Sequence, residues 1–327
     1  MNIAVTGASG FIGGRVVRSL HERGHGVHAY GRRQPEQLAA SLPAPYVSWD
    51  LTTGPLANAP AVEVVVHCAA RVDDWGSTKD FAAANIEGTR RVIESFPGAR
   101  IIHISSASVY DPRAVASAHH EDDRLPTFRR DAYSSSKQAA ELIVLASDRP
   151  AIVLRPHAVY GPGDTTLLPR LLRGYRFGRM FALGNGRNRV SLTHIDNLVH
   201  AVDQALARPS ALGVFNVADA ESASVDEILR CLLRALGLRE AVTYVPARAA
   251  APLASVLEAY YRMRRSPVAP VFTRYTIEQM TGNGVLDITK ARNTLDYAPA
   301  RGYEEAFEEF ATGLPPGSSS ANGRTLR

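Results

Sequence analysis

Apolar residues in the first half of the chain fall into short runs separated by stretches of helical period. Ile3-Ala4-Val5 is a run of the kind that makes a strand buried on both faces. Behind it Phe11, Ile12, Val16, Val17 and Leu20 recur at the spacing of one helix face. Further runs at 26–30, 45–49, 62–67, 101–105 and 151–154 read as strands two to six. Helical patterns lie between them, notably at 78–96 and 131–146. Strands alternating with helices predict an α/β fold, a doubly wound parallel sheet of Rossmann type. Ligands in such sheets bind beyond the C-terminal ends of the strands.

The alternation fades after about residue 165. Segments 167–174, 196–207 and 225–236 have helical period, and 213–217 reads as a short strand. This predicts a dinucleotide-binding domain over 1–165 and a smaller, mainly helical substrate lobe over 166–314, some segments of which return to the main sheet. The Pro-, Gly- and Ser-rich end, 315–327, is composed like a disordered tail. Segment 247–265 is apolar with a basic end. It is read first as a packing helix with a solvated basic end, and second as a lid or a membrane-surface helix. No repeats are visible. No apolar run is long enough to predict a transmembrane helix.

Composition narrows the picture. Of the 327 residues, 45% are hydrophobic, enough for a sizeable core. The net charge is +5, but the arginines are scattered rather than banked on one stretch, which argues against nucleic acid as a partner. Three of the 37 basic residues are lysines, a bias that points to a GC-rich bacterial genome. The two cysteines, Cys68 and Cys231, cannot build a disulfide framework or a metal site. With no leader pattern before the first strand, the expectation is a cytoplasmic protein.

Directly after the first strand come Gly7, Ser9, Gly10, Phe11, Ile12 and Gly13. The glycines let backbone approach a pyrophosphate, and the helix N-terminus behind them supplies free N–H groups and a positive dipole end. The second strand ends in Gly31-Arg32-Arg33, where an acid would hydrogen-bond an adenosine ribose. Arginine pairs with a 2′-phosphate and an acid would repel it, so NADP(H) is favoured, with NAD(H) the alternative. Asp50, followed by Leu51, stands after the third strand as an adenine contact or as an ordinary turn aspartate.

The fifth strand leads into Ser105-Ser106-Ala107-Ser108, and Tyr133 and Lys137 follow four residues apart on a predicted helix. At that spacing they share one face. A phenol is a poor acid or base near neutrality, and a neighbouring ammonium is expected to lower its pKa. A serine hydroxyl at the strand end can hydrogen-bond a substrate oxygen.

These pieces, together with His67-Cys68-Ala69-Ala70, Asn85-Ile86-Glu87-Gly88-Thr89 and Arg155-Pro156-His157, resemble the extended short-chain dehydrogenases/reductases over residues 2 to about 165. The motifs of the second half, among them Gly184-Asn185-Gly186-Arg187, Thr193-His194-Ile195-Asp196 and Thr273-Arg274-Tyr275, are similar to the 3β-hydroxysteroid dehydrogenase group and its 2-alkyl-3-ketoacid reductases. The resemblance implies Tyr133 as general acid/base, Lys137 as its partner and a ribose ligand, and Ser106 as the group polarising the carbonyl. It also implies Ala69 and Ala70 against the cofactor ribose and phosphates, and Pro156 and His157 at the nicotinamide carboxamide. Asn85 and Lys290 are read as structural. The implied reaction interconverts a ketone and a secondary alcohol on a hydrophobic substrate, most simply as NADPH-linked reduction. The implied assembly is a homodimer through 78–96 and 131–146. Three rivals remain: a nucleotide-sugar epimerase, dehydratase or reductase holding a diphosphate on Arg187 and Arg189, a non-catalytic NADP(H)-sensing protein, and a basic nucleic-acid or membrane binder that rests on the charge and on 247–265. Trp75, Tyr110, His157, Arg187 and His194 are candidate pocket residues.

Overall fold

The computed structural model describes residues 1–38, 42–73, 75–112, 118–127, 131–264, 266, 270 and 273–313. Asp74, Arg265 and the segment assigned to the tail lie outside these. The first half runs β1 (Asn2–Thr6), α1 (Phe11–Glu22), β2 (Gly26–Gly31), β3 (Tyr46–Ser48), β4 (Val64–His67), α2 (Thr78–Phe81), α3 (Gly88–Ser95), β5 (Arg100–Ile104), α4 (Ala132–Leu145) and β6 (Ala151–Pro156). A π-helical stretch, Ala82–Glu87, joins α2 to α3, so the helix predicted at 78–96 is one continuous but locally widened element.

The second half adds β7 (Val159–Tyr160), α5 (Leu167–Leu172), β8 (Tyr175–Arg176), β9 (Arg179–Leu183), β10 (Arg189–Ser191), β11 (Thr193–His194), α6 (Ile195–Ala207), β12 (Gly213–Val217), β13 (Ser222–Ser224), α7 (Val225–Ala235), β14 (Val242–Val245), α8 (Ala247–Met263), α9 (Arg274–Thr281), α10 (Thr289–Leu295) and α11 (Tyr303–Thr312). The central sheet has seven strands in the order β12-β6-β5-β4-β1-β2-β3. Every pairing in it is parallel. The fold is therefore the expected doubly wound α/β sheet, and its seventh strand comes from the second half of the chain.

Both faces of the sheet are covered, which is why its strands read as unbroken apolar runs. Ile3, Val5, Val64, Val66, Ile102 and Ile104 meet Val16 and Leu20 of α1, Leu198 and Val202 of α6 and Leu295 of α10. The alternate positions Ala4 and Val65 turn to Val92 and Phe96, and Ile101 and Val153 turn to Val144 of α4. Burying a side chain of this size contributes about 1.5–3 kcal/mol. A second core joins Leu168, Leu172 and Met180 to Ile228, Leu229, Leu232 and Leu233 of α7 and Phe307 of α11. Helix α7 starts at a capping box, Ser224 accepting from the Glu227 N–H while Glu227 accepts from Ser224 N–H. Cys68 and Cys231 are free thiols.

Candidate active site

The C-terminal end of β1 opens into a cradle built by glycine. Gly7 has φ +72°, and a Cβ there would stand 2.7 Å from the backbone nitrogen of Ala69. A Cβ on Gly13 would fall onto the Gly7 carbonyl. Helix α1 starts behind Gly10 with no side-chain cap and no acid in its first turn. Its first N–H groups, with the positive end of the helix dipole, are suited to an anion. The loop has room only for hydrogen where backbone must come close, which fits a dinucleotide pyrophosphate.

The end of β2 forms the next wall. A Cβ on Gly31 would meet Ser9 Oγ at 2.7 Å. The carbonyls of Arg33 and Arg32 accept from Tyr46 Oη at 2.8 Å and Ser48 Oγ at 3.4 Å, which holds this turn in place with both arginine side chains exposed. Asp50 Oδ1 accepts from the N–H and the hydroxyl of Thr52 at 2.8 and 2.7 Å, the geometry of an aspartate turn. Those bonds, with Arg32 and Arg91 nearby, hold its carboxyl below the usual range against the opposing effect of burial. Leu51 packs against Gly88.

Tyr133 and Lys137 lie on α4, which begins at Asp131 where the carboxylate accepts from the Ser134 N–H at 2.6 Å. The Tyr133 hydroxyl stands close enough to Ser106 for that hydroxyl to influence it. Ser106 sits at the start of a 3-10 turn after β5, and its Oγ accepts from Ser108 N–H at 3.1 Å. Ser105 is buried beside it. Burial raises the Tyr133 phenol, the nearby Ser106 hydroxyl acting the other way. This differs from the expected lowering by Lys137, because Lys137 Nζ is turned to the Ile104 carbonyl at 2.7 Å. The lysine itself is pushed down to about 8, chiefly by burial, with Glu141 opposing.

A chain of hydrogen bonds ties the glycine loop to the catalytic helix. Ala69 N–H donates to Thr6 Oγ1 at 3.3 Å, and Thr6 Oγ1 lies 2.7 Å from His67 Nδ1. Thr89 donates its hydroxyl to the Asn85 carbonyl at 2.6 Å, so it accepts from His67 Nε2 at 3.0 Å. That assignment leaves Nδ1 to accept from Thr6. Burial pushes the His67 imidazole down to about 3, so it stays neutral. Asn85, in the π-helical stretch, then donates to Ser136 Oγ at 2.8 Å and to the Arg71 carbonyl at 3.2 Å. Ser136 Oγ donates to the Tyr133 carbonyl at 2.7 Å.

In front of Tyr133 lies a cleft of about 740 Å³. Trp75, Phe81, Tyr261 and Tyr275 line it, with Arg71, Arg262 and Arg274 at its edges. Phe81 and Tyr275 each meet the Tyr133 ring edge-on, with centroids 6.4 Å away. Of the five candidate pocket residues, Trp75 alone reaches this cleft. Tyr110 is buried: it donates to Asn216 and accepts from Arg155, each at 2.8 Å. His157 turns away, its Nδ1–H donating to the Ser191 carbonyl at 2.6 Å, and its ring packs on Gly284. Pro156, the last residue of β6, is buried. His194 caps α6 by accepting from Asp196 N–H at 3.2 Å. Arg189 is bound to Ser222 and Glu227, away from Tyr133. Lys290 stands 5.3 Å over the Phe215 ring, a packing role. The sequence reading missed Arg71, Phe81, Tyr261 and Arg262. Arg274 and Tyr275 were visible only as part of a motif with no assigned task.

The sheet order, the glycine cradle and the Tyr133–Ser106 pair with Lys137 one turn along define an extended short-chain dehydrogenase/reductase. Residues 3–218 match the model of the NAD dependent epimerase/dehydratase family. The chain belongs to that family. It is 30% identical to a 2-alkyl-3-oxoalkanoate reductase of Stenotrophomonas maltophilia, over 95% of this chain and 98% of that protein. It is also 30% identical to the mouse (Mus musculus) sterol-4-alpha-carboxylate 3-dehydrogenase, decarboxylating, over 93% of this chain and 88% of that one. Among solved structures, UDP-glucuronic acid 4-epimerase from Bacillus cereus in complex with NAD superposes with TM-score 0.72 at 22% identity, covering 94% of this chain and 96% of that chain.

Proposed function

We propose that the protein is an NADPH-linked reductase of a ketone carried on a hydrophobic scaffold. Tyr133 with Ser106 close by, at the wall of a cleft lined in part by Trp75, Phe81, Tyr261 and Tyr275, carries this reading. The nicotinamide cofactor, when bound, supplies the hydride for the carbonyl carbon. Gly7, Ser9, Gly10, Phe11, Ile12 and Gly13 would hold its pyrophosphate, with Ala69 and Ala70 alongside. Arg32 and Arg33 would hold a 2′-phosphate, Asp50 and Leu51 would border the adenine, and Pro156 with the backbone of His157 would border the carboxamide. Ser106 and Tyr133 orient the ketone oxygen by donating to it, and Tyr133 gives up its proton as the alkoxide forms. Lys137, one turn along the helix and bonded to the Ile104 carbonyl, would serve as the ribose ligand. The names of the relatives, both acting on oxygen functions of greasy molecules, support the substrate class.

The nucleotide-sugar alternative is the weaker. The cleft beside Tyr133 is lined by five carboxylates, Asp73, Asp80, Asp131, Glu258 and Glu278, against three arginines. Each of the three arginines is already paired with at least one of these acids, which counts against their holding a diphosphate. Of the two arginines on which that reading rests, Arg187 is exposed and Arg189 is bonded to Ser222 and paired with Glu227. A sensor without catalysis has no need of Tyr133 and Lys137 together. The assembly we favour is a homodimer through the α3–α4 face, where Leu142 and Leu145 of α4 are exposed. A reducing cytoplasm suits the two free thiols.

The test is binding of NADPH against NADH, then oxidation of bound NADPH by a 3-ketosteroid, a 2-alkyl-3-ketoacid and a UDP-keto-sugar. Tight NADPH binding with turnover on a greasy ketone supports the reading. Turnover confined to the sugar nucleotide, or to none, overturns it.

A further inference from the structure

Helix α8 presents its large apolar side chains to solvent. Leu253, Val256, Tyr260 and Met263 are 56%, 67%, 47% and 76% exposed. Their spacing of three, four and three residues puts them on one helix face. The face turned to the body carries Ala247, Ala250, Ala251 and Ala254, packed on Leu183, Ile277 and Met280. The helix thus holds to the protein through alanines, and Ala249 and Pro252 widen its outward stripe. The reading of 247–265 as a plain packing helix leaves this stripe unexplained.

The charges around the stripe have one sign. Glu258 is the only acid in α8, and it is buried and bound to Arg274 and Arg262 at 3.3 and 3.7 Å. Arg248 at the start and Arg264 at the end are exposed, and Arg262, though also exposed, is turned to the cleft over the Trp75 ring. The 17-residue helix spans about 25 Å. It contains Pro252, and no helix among the described residues is long and apolar enough to cross a membrane. An apolar stripe bordered by cations, on a helix too polar to insert end-on, suits a surface of acyl chains beneath anionic headgroups. A second copy fits less well. Two such helices packed about a two-fold axis would bring arginine against arginine at both ends with no exposed acid on α8 to answer them.

We propose that α8 docks the protein onto an anionic lipid surface, with Leu253, Val256, Tyr260 and Met263 in the acyl boundary and the arginines among the headgroups. The inner side of the same helix contributes Glu258, Tyr261 and Arg262 to the cleft beside Tyr133. The docked helix is therefore the wall between the bilayer and the site. If the ketone reading above holds, a hydrophobic substrate passes along that wall without crossing water. The docking itself does not depend on that reading.

The experiment is flotation of the full chain with vesicles of phosphatidylcholine alone and of phosphatidylcholine mixed with phosphatidylglycerol, at low and high salt. The chain is expected to float with the anionic vesicles and to be released by salt. Leu253→Ser with Val256→Ser and Met263→Ser should weaken binding at least about ten-fold. Arg248→Ser with Arg264→Ser should weaken it at low salt. These positions are exposed, so the melting temperature and its rise with NADPH should not move. No flotation of the parent, or equal flotation of the apolar variant, overturns the proposal. So does a shift of the apolar variant to a smaller species in size exclusion without flotation of either protein, which would make a second copy the occupant. Ketone turnover measured in detergent is independent of docking, so the two readings fail separately.

Discussion

Lys137 Nζ donates to the Ile104 carbonyl at 2.7 Å from a position only 2% exposed. Burial is the largest influence on this ammonium and brings it from 10.5 down to about 8. The sign is the reverse of that for a lysine gaining a partner. Below about pH 8 the cost of the buried charge is present in full, and it fades as the pH rises from about 8 towards the unfolded value. Lys137→Met removes the charge. At about pH 7 the variant should be more stable than the parent by about 3 kcal/mol, less whatever the undonated carbonyl costs. That gap should close near pH 10, and turnover should be lost. Urea unfolding at the two pH values checks this. A variant less stable than the parent near neutrality would show that the fold stabilises the ammonium.

Glu141 links that lysine to a second buried charge. Its carboxylate accepts from Arg155 Nη2 at 2.7 Å and Nε at 3.0 Å, and its charge raises Lys137. Glu141→Gln should therefore have two separable effects. Arg155 is left buried without its anion, costing about 3–5 kcal/mol. The basic limb of kcat/KM, assigned to Lys137, should move to lower pH. Adding Arg155→Met should recover much of the stability and leave the limb where Glu141→Gln put it. A limb that returns with the stability would mean that folding, and not charge, moved it.

Much of the site is legible in residues adjacent in the chain. Gly7, Gly10 and Gly13 follow the first strand, and Tyr133 and Lys137 stand one helical turn apart, so local spacing already carries their geometry. The six strands of the first half are legible for the same reason, each being an apolar run between helical patterns. What local pattern cannot carry is distance along the chain. Tyr275 meets Tyr133 across 142 positions, and Trp75 Nε1 donates to the Ser266 carbonyl at 2.9 Å. Both contacts depend on how α8 and α9 lie over the sheet. Tyr110 and His157 line a second, smaller pocket with Ala107 and His119, away from Tyr133, where Arg155 bonds the one and the Ser191 carbonyl the other. The phenol of Tyr133 moves up instead of down because it is buried, while the Ile104 carbonyl holds the lysine.

The exposed turn after β2 makes cofactor choice testable. Arg32→Ala with Arg33→Ala removes the two cations while Tyr46 and Ser48 still hold the backbone, since they bond carbonyls and not side chains. A charge-assisted bond to phosphate contributes about 1.5–3 kcal/mol, and each 1.4 kcal/mol is about ten-fold. The KM for NADPH should rise at least about ten-fold, with that for NADH nearly unchanged. Equal losses for both cofactors would assign these arginines to the fold and return NAD(H) to first place.

Tyr133 can be separated from its surroundings by one oxygen atom. The ring is held edge-on by Phe81 and Tyr275, and its backbone carbonyl by Ser136, so Tyr133→Phe keeps the packing and deletes only the hydroxyl. NADPH binding should be unchanged, because the cradle is made by Gly7 to Gly13. Turnover should fall by about two to four orders of magnitude, the usual contribution of a positioned proton donor. Ser106→Ala leaves the phenol its proton but removes one donor to the ketone oxygen, so its loss should be smaller. Burial raises Tyr133, and the nearby Ser106 hydroxyl works against that rise. Without Ser106 the phenol should titrate higher still, and in the alcohol-oxidation direction the basic pH needed for turnover should rise. Single-turnover rates across pH for both variants decide the matter. If Ser106→Ala were the more damaging, or if it left the pH profile untouched, the proton would have to come from a group other than Tyr133.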